Sequence, residues 1–258
     1  GGRLDIVHEC IVASLFLFSA GFIWLNWPFA APEENPGGPP PDGGVPRAAI
    51  LDGLWRTKPN LTFTENLIGC LEGAGFHVDL FRGENVTINL LRNIAGYELL
   101  ILRLHSSINT DPNDRWLYLF SGELYTESKY VLEQLSGAVK KGYTFNENEP
   151  PYFVLNSAFL GVNKPEGLKD SIIILMGCNG TGDSVSIQKF FERGAAAYVA
   201  WTGYVDLGHS DKAVLGFIQA LCSEKLSLKE AIDKTMTEIG ADPYYRSILT
   251  YYPEENGE

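Results

Sequence analysis

Short and nearly uninterrupted apolar runs recur along this chain, and they alternate with segments in which apolar residues lie three or four positions apart. Runs of the first kind are typical of strands buried on both faces of a sheet, and the wider spacing is typical of one face of a helix. The sequence therefore predicts strands at Arg47–Leu54, Phe76–Phe81, Glu98–Leu104, Trp116–Phe120, Tyr152–Leu160, Ser171–Met176 and Ala195–Trp201. Because strands and helices alternate, we expect an α/β fold with a mainly parallel central sheet.

Capping signals and apolar spacing place the helices. Thr62-x-x-Glu65 and Ser227-x-x-Glu230 have the spacing of capping boxes, in which two side chains pair with free N–H groups at the start of a helix. Apolar residues at every fourth position predict a long helix over 126–141. Further helices are predicted at Val86–Ile94, at Asp183–Arg193 and from Ser210, which can cap a helix.

The N-terminal region carries the clearest targeting signal, because no charged residue occurs between Glu9 and Glu33. The apolar segment 11–31 is long enough to cross the ~30 Å hydrocarbon layer of a bilayer, and tryptophans lie near its far end. We predict a transmembrane signal-anchor here; a cleaved signal peptide is the alternative, although the segment ends in a poor cleavage site. Arg3 is the only basic residue before the span, which favours an N-terminus inside the cytoplasm and a main domain outside it.

Composition sets the remaining boundaries. Residues 1–10 form an N-terminal flank, and 32–46 form a linker whose proline and glycine exclude regular structure. Residues 47–258 form the main domain, which is long enough for one sizeable α/β core.

Charge and cysteine usage exclude several classes of protein. The formal net charge is -12, which argues against a nucleic-acid partner, since such proteins present a basic surface. The four cysteines form no Cys-x-x-Cys pair, and no His/Cys cluster has zinc-site spacing. We therefore predict no metal, no cofactor and no disulfide framework.

Cys178 lies in a glycine-rich turn, Gly177–Gly182, directly after the apolar run Ser171–Met176. Ligand crevices of open α/β sheets lie at the carboxyl ends of the strands, so a thiol in this turn is placed like a nucleophile. The alternative is a small buried cysteine that closes a strand, since free cysteine is among the most buried residue types.

His105 follows the predicted strand Glu98–Leu104, just as Cys178 follows its own strand. If the two strands are neighbours, imidazole and thiol face the same crevice. A lone histidine is more often structural or exposed, and that interpretation stays open for His105 taken alone.

The order of these features resembles the caspase-like cysteine peptidases of clan CD: caspases, gingipains, separases and CHAT domains. The likeness lies in an apolar strand followed by His-Ser, then LMGCNG around Cys178, a helix, and the glycine-led strand RGAAAYVAW. It is strongest for separases and CHAT domains, and it covers about 47–239. The resemblance implies a three-layer caspase-like fold, with helices on both faces of the sheet.

The resemblance also implies the site. Cys178 would be the nucleophile, His105 the acid and base, and the backbone N–H groups of Cys178 and Ser106 the oxyanion donors. Asp206 lies next to the position of a separase acid that recognises a basic substrate residue, although a solvated loop carboxylate is the simpler interpretation. Two departures stand out: Ser106 replaces the family's glycine after the histidine, and Gly203 replaces a tryptophan.

The chain is thus expected to be a single-pass, membrane-anchored cysteine endopeptidase that hydrolyses polypeptide substrates outside the cytoplasm. Two alternatives remain. A caspase-like module without peptidase activity could serve in binding or regulation, and Ser106 is its best support. An unrelated doubly wound domain could bind a small ligand at the strand ends; this last alternative predicts that His105 and Cys178 do not approach each other.

Overall fold

The computed structural model describes residues 44–253, apart from residue 112. Its strands are β1 (Arg47–Asp52), β2 (His77–Arg82), β3 (Leu99–Arg103), β4 (Ser106–Ile108), β5 (Leu117–Leu124), β6 (Val139–Gly142), β7 (Tyr152–Asn156), β8 (Ile172–Leu175), β9 (Ala197–Trp201) and β10 (Leu249–Tyr252). Its α-helices are α1 (Leu61–Gly73), α2 (Ile88–Asn93), α3 (Val131–Leu135), α4 (Ser184–Glu192), α5 (Leu207–Ile218) and α6 (Leu228–Glu238).

Six strands form the central sheet, in the order β2-β1-β3-β8-β9-β10. All neighbours in it are parallel except β10, which runs antiparallel to β9 at one edge. The predicted α/β architecture with a mainly parallel sheet is therefore confirmed. A second, antiparallel sheet has the order β4-β5-β7-β6 and is inserted between β3 and β8 of the chain.

Alternating strand residues supply two separate apolar cores, one on each face of the central sheet. Ala49 and Leu51 of β1 join the core that contains α2, α4 and the second sheet. Ala48 and Ile50 join the core beneath α1, α5 and α6. Because successive side chains of a strand point to opposite faces, strands buried on both sides must be apolar throughout, which is why they were recognisable in the sequence.

The long helix predicted over 126–141 is wrong. Only α3 is helical there; Gly137 then adopts a φ of +76°, and Val139 enters β6. The apolar spacing that suggested one buried face joins residues in different environments, because Leu135 is 80 % exposed and Val139 is fully buried.

One of the three predicted helix caps is confirmed, and two are wrong. The Ser227–Glu230 capping box is confirmed at the start of α6. Helix α1 is instead capped by Asn60, whose side chain accepts the Phe63 N–H, so the predicted Thr62 box is wrong. Ser210 does not cap α5 either; it lies inside that helix.

A buried ion-pair network connects the carboxyl ends of β1 and β3 to helix α5. The Arg103 guanidinium donates to Asp52 at 2.8 Å and to both oxygens of Asp211 in α5, at 2.9 and 3.0 Å. A further bond of 2.9 Å reaches the Lys58 carbonyl, and the Asn60 amide donates to Asp211 at 2.9 Å. The Arg103 and Asp52 side chains are 1 % and 0 % exposed, so water does not share in these contacts.

Within residues 44–253, no helix is long and apolar enough to cross a membrane. The predicted signal-anchor at 11–31 and most of the predicted linker at 32–46 lie outside the described residues. Strand β1 begins at Arg47, where the main domain is predicted to start.

The ion-pair network generates a stability prediction. We expect Arg103→Met to lower the free energy of unfolding by about 3–5 kcal/mol, because it leaves two carboxylates buried without their cation. Lys189→Met is the matched control: it removes an exposed pair with Glu192 and is expected to cost under about 1 kcal/mol. Urea unfolding of both variants measures the difference, and similar losses would show that the buried network is not a special source of stability.

Candidate active site

The two predicted catalytic residues follow neighbouring strands. Strands β3 and β8 pair in parallel, with Leu102 opposite Leu175. His105 lies two residues beyond the end of β3, and Cys178 lies three residues beyond the end of β8. Both therefore lie at the carboxyl edge of the sheet, on adjacent connections.

The turn that carries Cys178 packs directly against the connection that carries His105. A Cβ atom on Gly177 would lie 2.5 Å from the Leu104 carbonyl oxygen and 2.3 Å from Ser106 Oγ, so only glycine fits. Asn179 adopts a φ of +56°, and its N–H donates to the Gly203 carbonyl at 2.8 Å. The strand ends are thus held together by backbone contacts on both sides of the thiol.

Ser106 links the two connections with its side chain. Its hydroxyl donates to the Cys178 carbonyl at 2.7 Å, and the residue is buried. Its backbone belongs to β4, which pairs with β5. Since extended backbone is open to any residue, serine fits at this position without a left-handed conformation.

The Cys178 thiol is half-buried and weakly bonded. It donates to the Val205 carbonyl, with a sulfur–oxygen distance of 3.9 Å. Burial raises the pKa of the Cys178 thiol above its ordinary value, and the nearby Asp242 carboxylate adds to that rise. The resting group is therefore a protonated thiol at neutral pH.

Asp242 is a buried acid that the sequence pattern did not indicate. Its carboxylate accepts the N–H groups of Asp206, Tyr244 and Tyr245, at 2.8, 2.9 and 2.7 Å. Burial alone would raise the pKa of Asp242, but these backbone donors outweigh it and hold the pKa below its usual value. The residue therefore joins the β9–α5 connection, next to Val205, to the α6–β10 connection.

His105 faces a narrow cavity of about 10 Å³, which is room for about one water molecule. Leu54, Thr57, Phe120 and Glu149 are among its lining residues, and the His105 ring meets the Phe120 ring edge-on at 6.0 Å. Burial lowers the pKa of His105, while the Glu149 carboxylate raises it. Lys58 and Arg103 lower it further, so the ring is neutral at pH 7.

Imidazole and thiol are not hydrogen-bonded to each other among the described residues; the contact between their connections is the bond from Ser106 to the Cys178 carbonyl. The site therefore holds a neutral thiol and a neutral base on adjacent strand ends. The two groups also have different surroundings: the thiol bonds to the Val205 carbonyl, and Cys178 is not among the residues that line the cavity next to His105.

Asp206 is positioned as a helix cap. Its side chain accepts the His209 N–H at 3.1 Å at the start of α5, and the residue is exposed. Capping accounts for an acid at this position, since Asp is among the preferred N-cap residues. Recognition of a basic substrate residue by Asp206 stays a prediction.

The part of the chain that the structure describes contains no group of three or more His, Cys, Asp or Glu side chains arranged to hold a metal ion. In comparisons with known proteins, no protein-family model matches the chain, and no curated protein sequence matches it.

The charge of Glu149, which lines the same cavity as His105, leads to a prediction. We expect Glu149→Gln to lower the pKa of His105 further, because the variant removes the nearby negative charge that favours the imidazolium. A pH titration of the histidine ring signals by NMR measures this. Glu147→Gln, an exposed acid of the same loop, is the control; an equal fall in both variants would assign the effect to net charge rather than to Glu149.

Proposed function

We propose that this chain is a membrane-anchored cysteine endopeptidase of the caspase-like type, with Cys178 as nucleophile and His105 as general base and acid. The observation that carries the proposal is the placement of these two residues on adjacent connections at one edge of a parallel sheet. The bond from Ser106 to the Cys178 carbonyl holds the two connections in contact.

The layered architecture supports the caspase-like assignment. Helices α1, α5 and α6 cover one face of the central sheet, and α2 and α4 cover the other. The segment between the histidine and cysteine strands forms a small antiparallel sheet beside the site, rather than interrupting the parallel one. This organisation suits the three-layer fold that the resemblance implies.

The proposed reaction starts from the neutral pair. His105 takes the Cys178 proton as the sulfur attacks the peptide carbonyl carbon, forming a C–S bond and an oxyanion. Backbone N–H groups of Cys178 and Ser106 would stabilise that oxyanion, at about 3 kcal/mol for each donor. The C–N bond then breaks, and the imidazolium gives its proton to the leaving amine. Water, deprotonated by His105, hydrolyses the thioester and restores the thiol.

A second candidate function is a caspase-like module without peptidase activity. Two observations favour it: the thiol pairs with the Val205 carbonyl rather than with the imidazole, and its pKa is raised rather than lowered. Reactive catalytic cysteines commonly have depressed pKa values, so the two candidates differ in the reactivity of Cys178.

The first test joins thiol reactivity to peptide cleavage in the full chain. We expect iodoacetamide at pH 7.5 to alkylate Cys178 at least about tenfold faster than Cys222, whose pKa burial raises to about 11, because only Cys178 has an imidazole on the adjacent strand end. His105→Ala should remove this advantage. A mixed peptide library, followed by mass spectrometry, should show cleavage that Cys178→Ala and His105→Ala both abolish.

Cys222→Ala is the matched control and should leave cleavage unchanged. Since burial lowers the pKa of His105, the acid limb of the pH–rate profile should fall below the ordinary imidazole pKa of about 6.5. Equal alkylation of Cys178 and Cys222, together with an uncut library, would reject the peptidase in favour of the inactive module.

Membrane attachment through 11–31 is part of the proposal and has a separate test. We expect the full chain to stay with the membrane fraction after an alkaline carbonate wash, since an apolar helix of this length inserts stably. A variant lacking 11–31 should be released. Release of the full chain by the wash would exclude the anchor and leave the peptidase proposal standing.

A further inference from the structure

Three aromatic side chains stand exposed at the carboxyl edge of the sheet. Phe145 is 91 % exposed, Tyr245 57 % and Tyr204 47 %. The Tyr204 ring lies 6.2 Å from the Phe145 ring and 5.8 Å from the Tyr245 ring, measured between centroids. We call these three residues the aromatic cluster. They come from three separate connections, β6–β7, β9–α5 and α6–β10, so no single local pattern explains their meeting.

The aromatic cluster adjoins the proposed nucleophile. Tyr204 immediately precedes Val205, whose carbonyl accepts the Cys178 thiol at 3.9 Å. On its other side, the Gly203 carbonyl accepts the Asn179 N–H at 2.8 Å. One short segment of backbone therefore holds the thiol and its turn, and the same segment presents the central ring of the cluster.

Hydrogen bonds fix the backbones of the two tyrosines of the cluster. The Ser247 hydroxyl donates to the Tyr204 carbonyl at 2.6 Å, and the Tyr245 N–H donates to the buried Asp242 at 2.7 Å. Aromatic side chains have only two χ torsions to fix and therefore lose little conformational entropy on binding, so a surface of this kind favours contact with another apolar group.

Tyr204 also lines an open cavity of about 470 Å³, which reaches the cysteine turn. Asn109, Arg115 and Asn179 contribute polar groups to this cavity. Amide and guanidinium groups suit the carbonyl oxygens of a peptide backbone, whereas the rings suit an apolar side chain. A peptide that places its backbone in this cavity can place one side chain on the rings.

We propose that the aromatic cluster is the substrate subsite that takes a large apolar or aromatic side chain of the polypeptide. The inference rests on the proposed function, since it names the substrate class of the same site. It differs from the basic specificity that the separase resemblance suggests for Asp206, because the side chain on this surface meets rings rather than a carboxylate.

The test compares two reagents that carry one reactive group. N-acetyl-Ala-Phe chloromethyl ketone and N-acetyl-Ala-Ala chloromethyl ketone both alkylate a thiol, by forming a C–S bond as chloride leaves. We expect the phenylalanine reagent to modify Cys178 roughly 10- to 100-fold faster in the full chain, because its ring is buried on binding. Mass spectrometry of the Cys178 peptide gives both rates.

Phe145→Ala and Tyr204→Ala should bring the ratio of the two rates close to one. Iodoacetamide, which has no ring, is measured on each variant, so that a general change in Cys178 reactivity is separated from the loss of a ring contact. Tyr244→Ala is the matched control. Tyr244 is 76 % exposed beside Tyr245 but has no ring contact with the cluster among the described residues, so this variant should keep the wild-type ratio.

A ratio near one in the wild-type chain, with iodoacetamide still reacting, would overturn the aromatic subsite and leave the peptidase proposal standing. A Cys178 inert to all three reagents would instead reject the peptidase. In that case NMR titration with N-acetyl-Ala-Phe-Ala amide decides the subsite: shifts at Tyr204 and Tyr245, absent with N-acetyl-Ala-Ala-Ala amide, support it, and their absence overturns it. Concentration-dependent dimers that Phe145→Ala dissociates would also overturn it, in favour of an interface between copies.

Discussion

The hydrogen bonds of the buried Arg103 guanidinium are the interactions on which the carboxyl edge of the central sheet depends. This residue joins β1, β3, the Lys58 turn and helix α5 through four hydrogen bonds, and it lies two residues before His105. One cation faces two carboxylates, and one oxygen of Asp52 is buried without a hydrogen-bond partner. Burial accordingly raises the pKa of Asp52, although Arg103 opposes the rise. Replacing all three charged side chains together by apolar residues would remove the buried charges, but it would also remove the bonds that tie β3 to β1 and α5 close to His105.

On the Cys178 side of the site, hydrogen bonds to backbone carbonyls position the residue, rather than ion pairs. Carbonyl groups of neighbouring connections accept hydrogen bonds from the Cys178 thiol and from the backbone N–H groups of Asn179 and Thr202. In addition, the Trp201 indole donates to Ser210 Oγ, which in turn donates to the Met176 carbonyl at 2.9 Å. Such contacts place Cys178 firmly while leaving it protonated. The two halves of the proposed dyad thus differ in kind: the base is positioned by an ionic network, and the nucleophile by a set of turns.

The parts of this structure that could be predicted from sequence are those with a local physical signature. Strands β1, β3, β8 and β9 are buried on both faces and are therefore apolar, apart from the charged residues at the ends of β1 and β3, and this pattern made them recognisable in the sequence. Strand β10 and the short β4 carry no such signature, since their pairing depends on partners distant in the chain. Asp242 and Glu149 were missed for the same reason: each is an ordinary loop acid until the fold brings it to the thiol or the imidazole. Spacing alone also misled at 126–141, where apolar side chains that fit a helix belong to exposed and buried environments.

The contact of Gly177 with Leu104 and Ser106 imposes a one-way constraint on how this site can vary. Replacing Ser106 by glycine would remove one of the atoms that a side chain at position 177 would strike, but the Leu104 carbonyl would still lie 2.5 Å from its Cβ. Position 177 is therefore closed to every residue but glycine whatever stands at 106. Replacing Ser106 by glycine meets no such clash, but it removes the hydrogen bond to the Cys178 carbonyl. The two positions are thus constrained differently: steric exclusion fixes residue 177, and one side-chain hydrogen bond favours serine at 106.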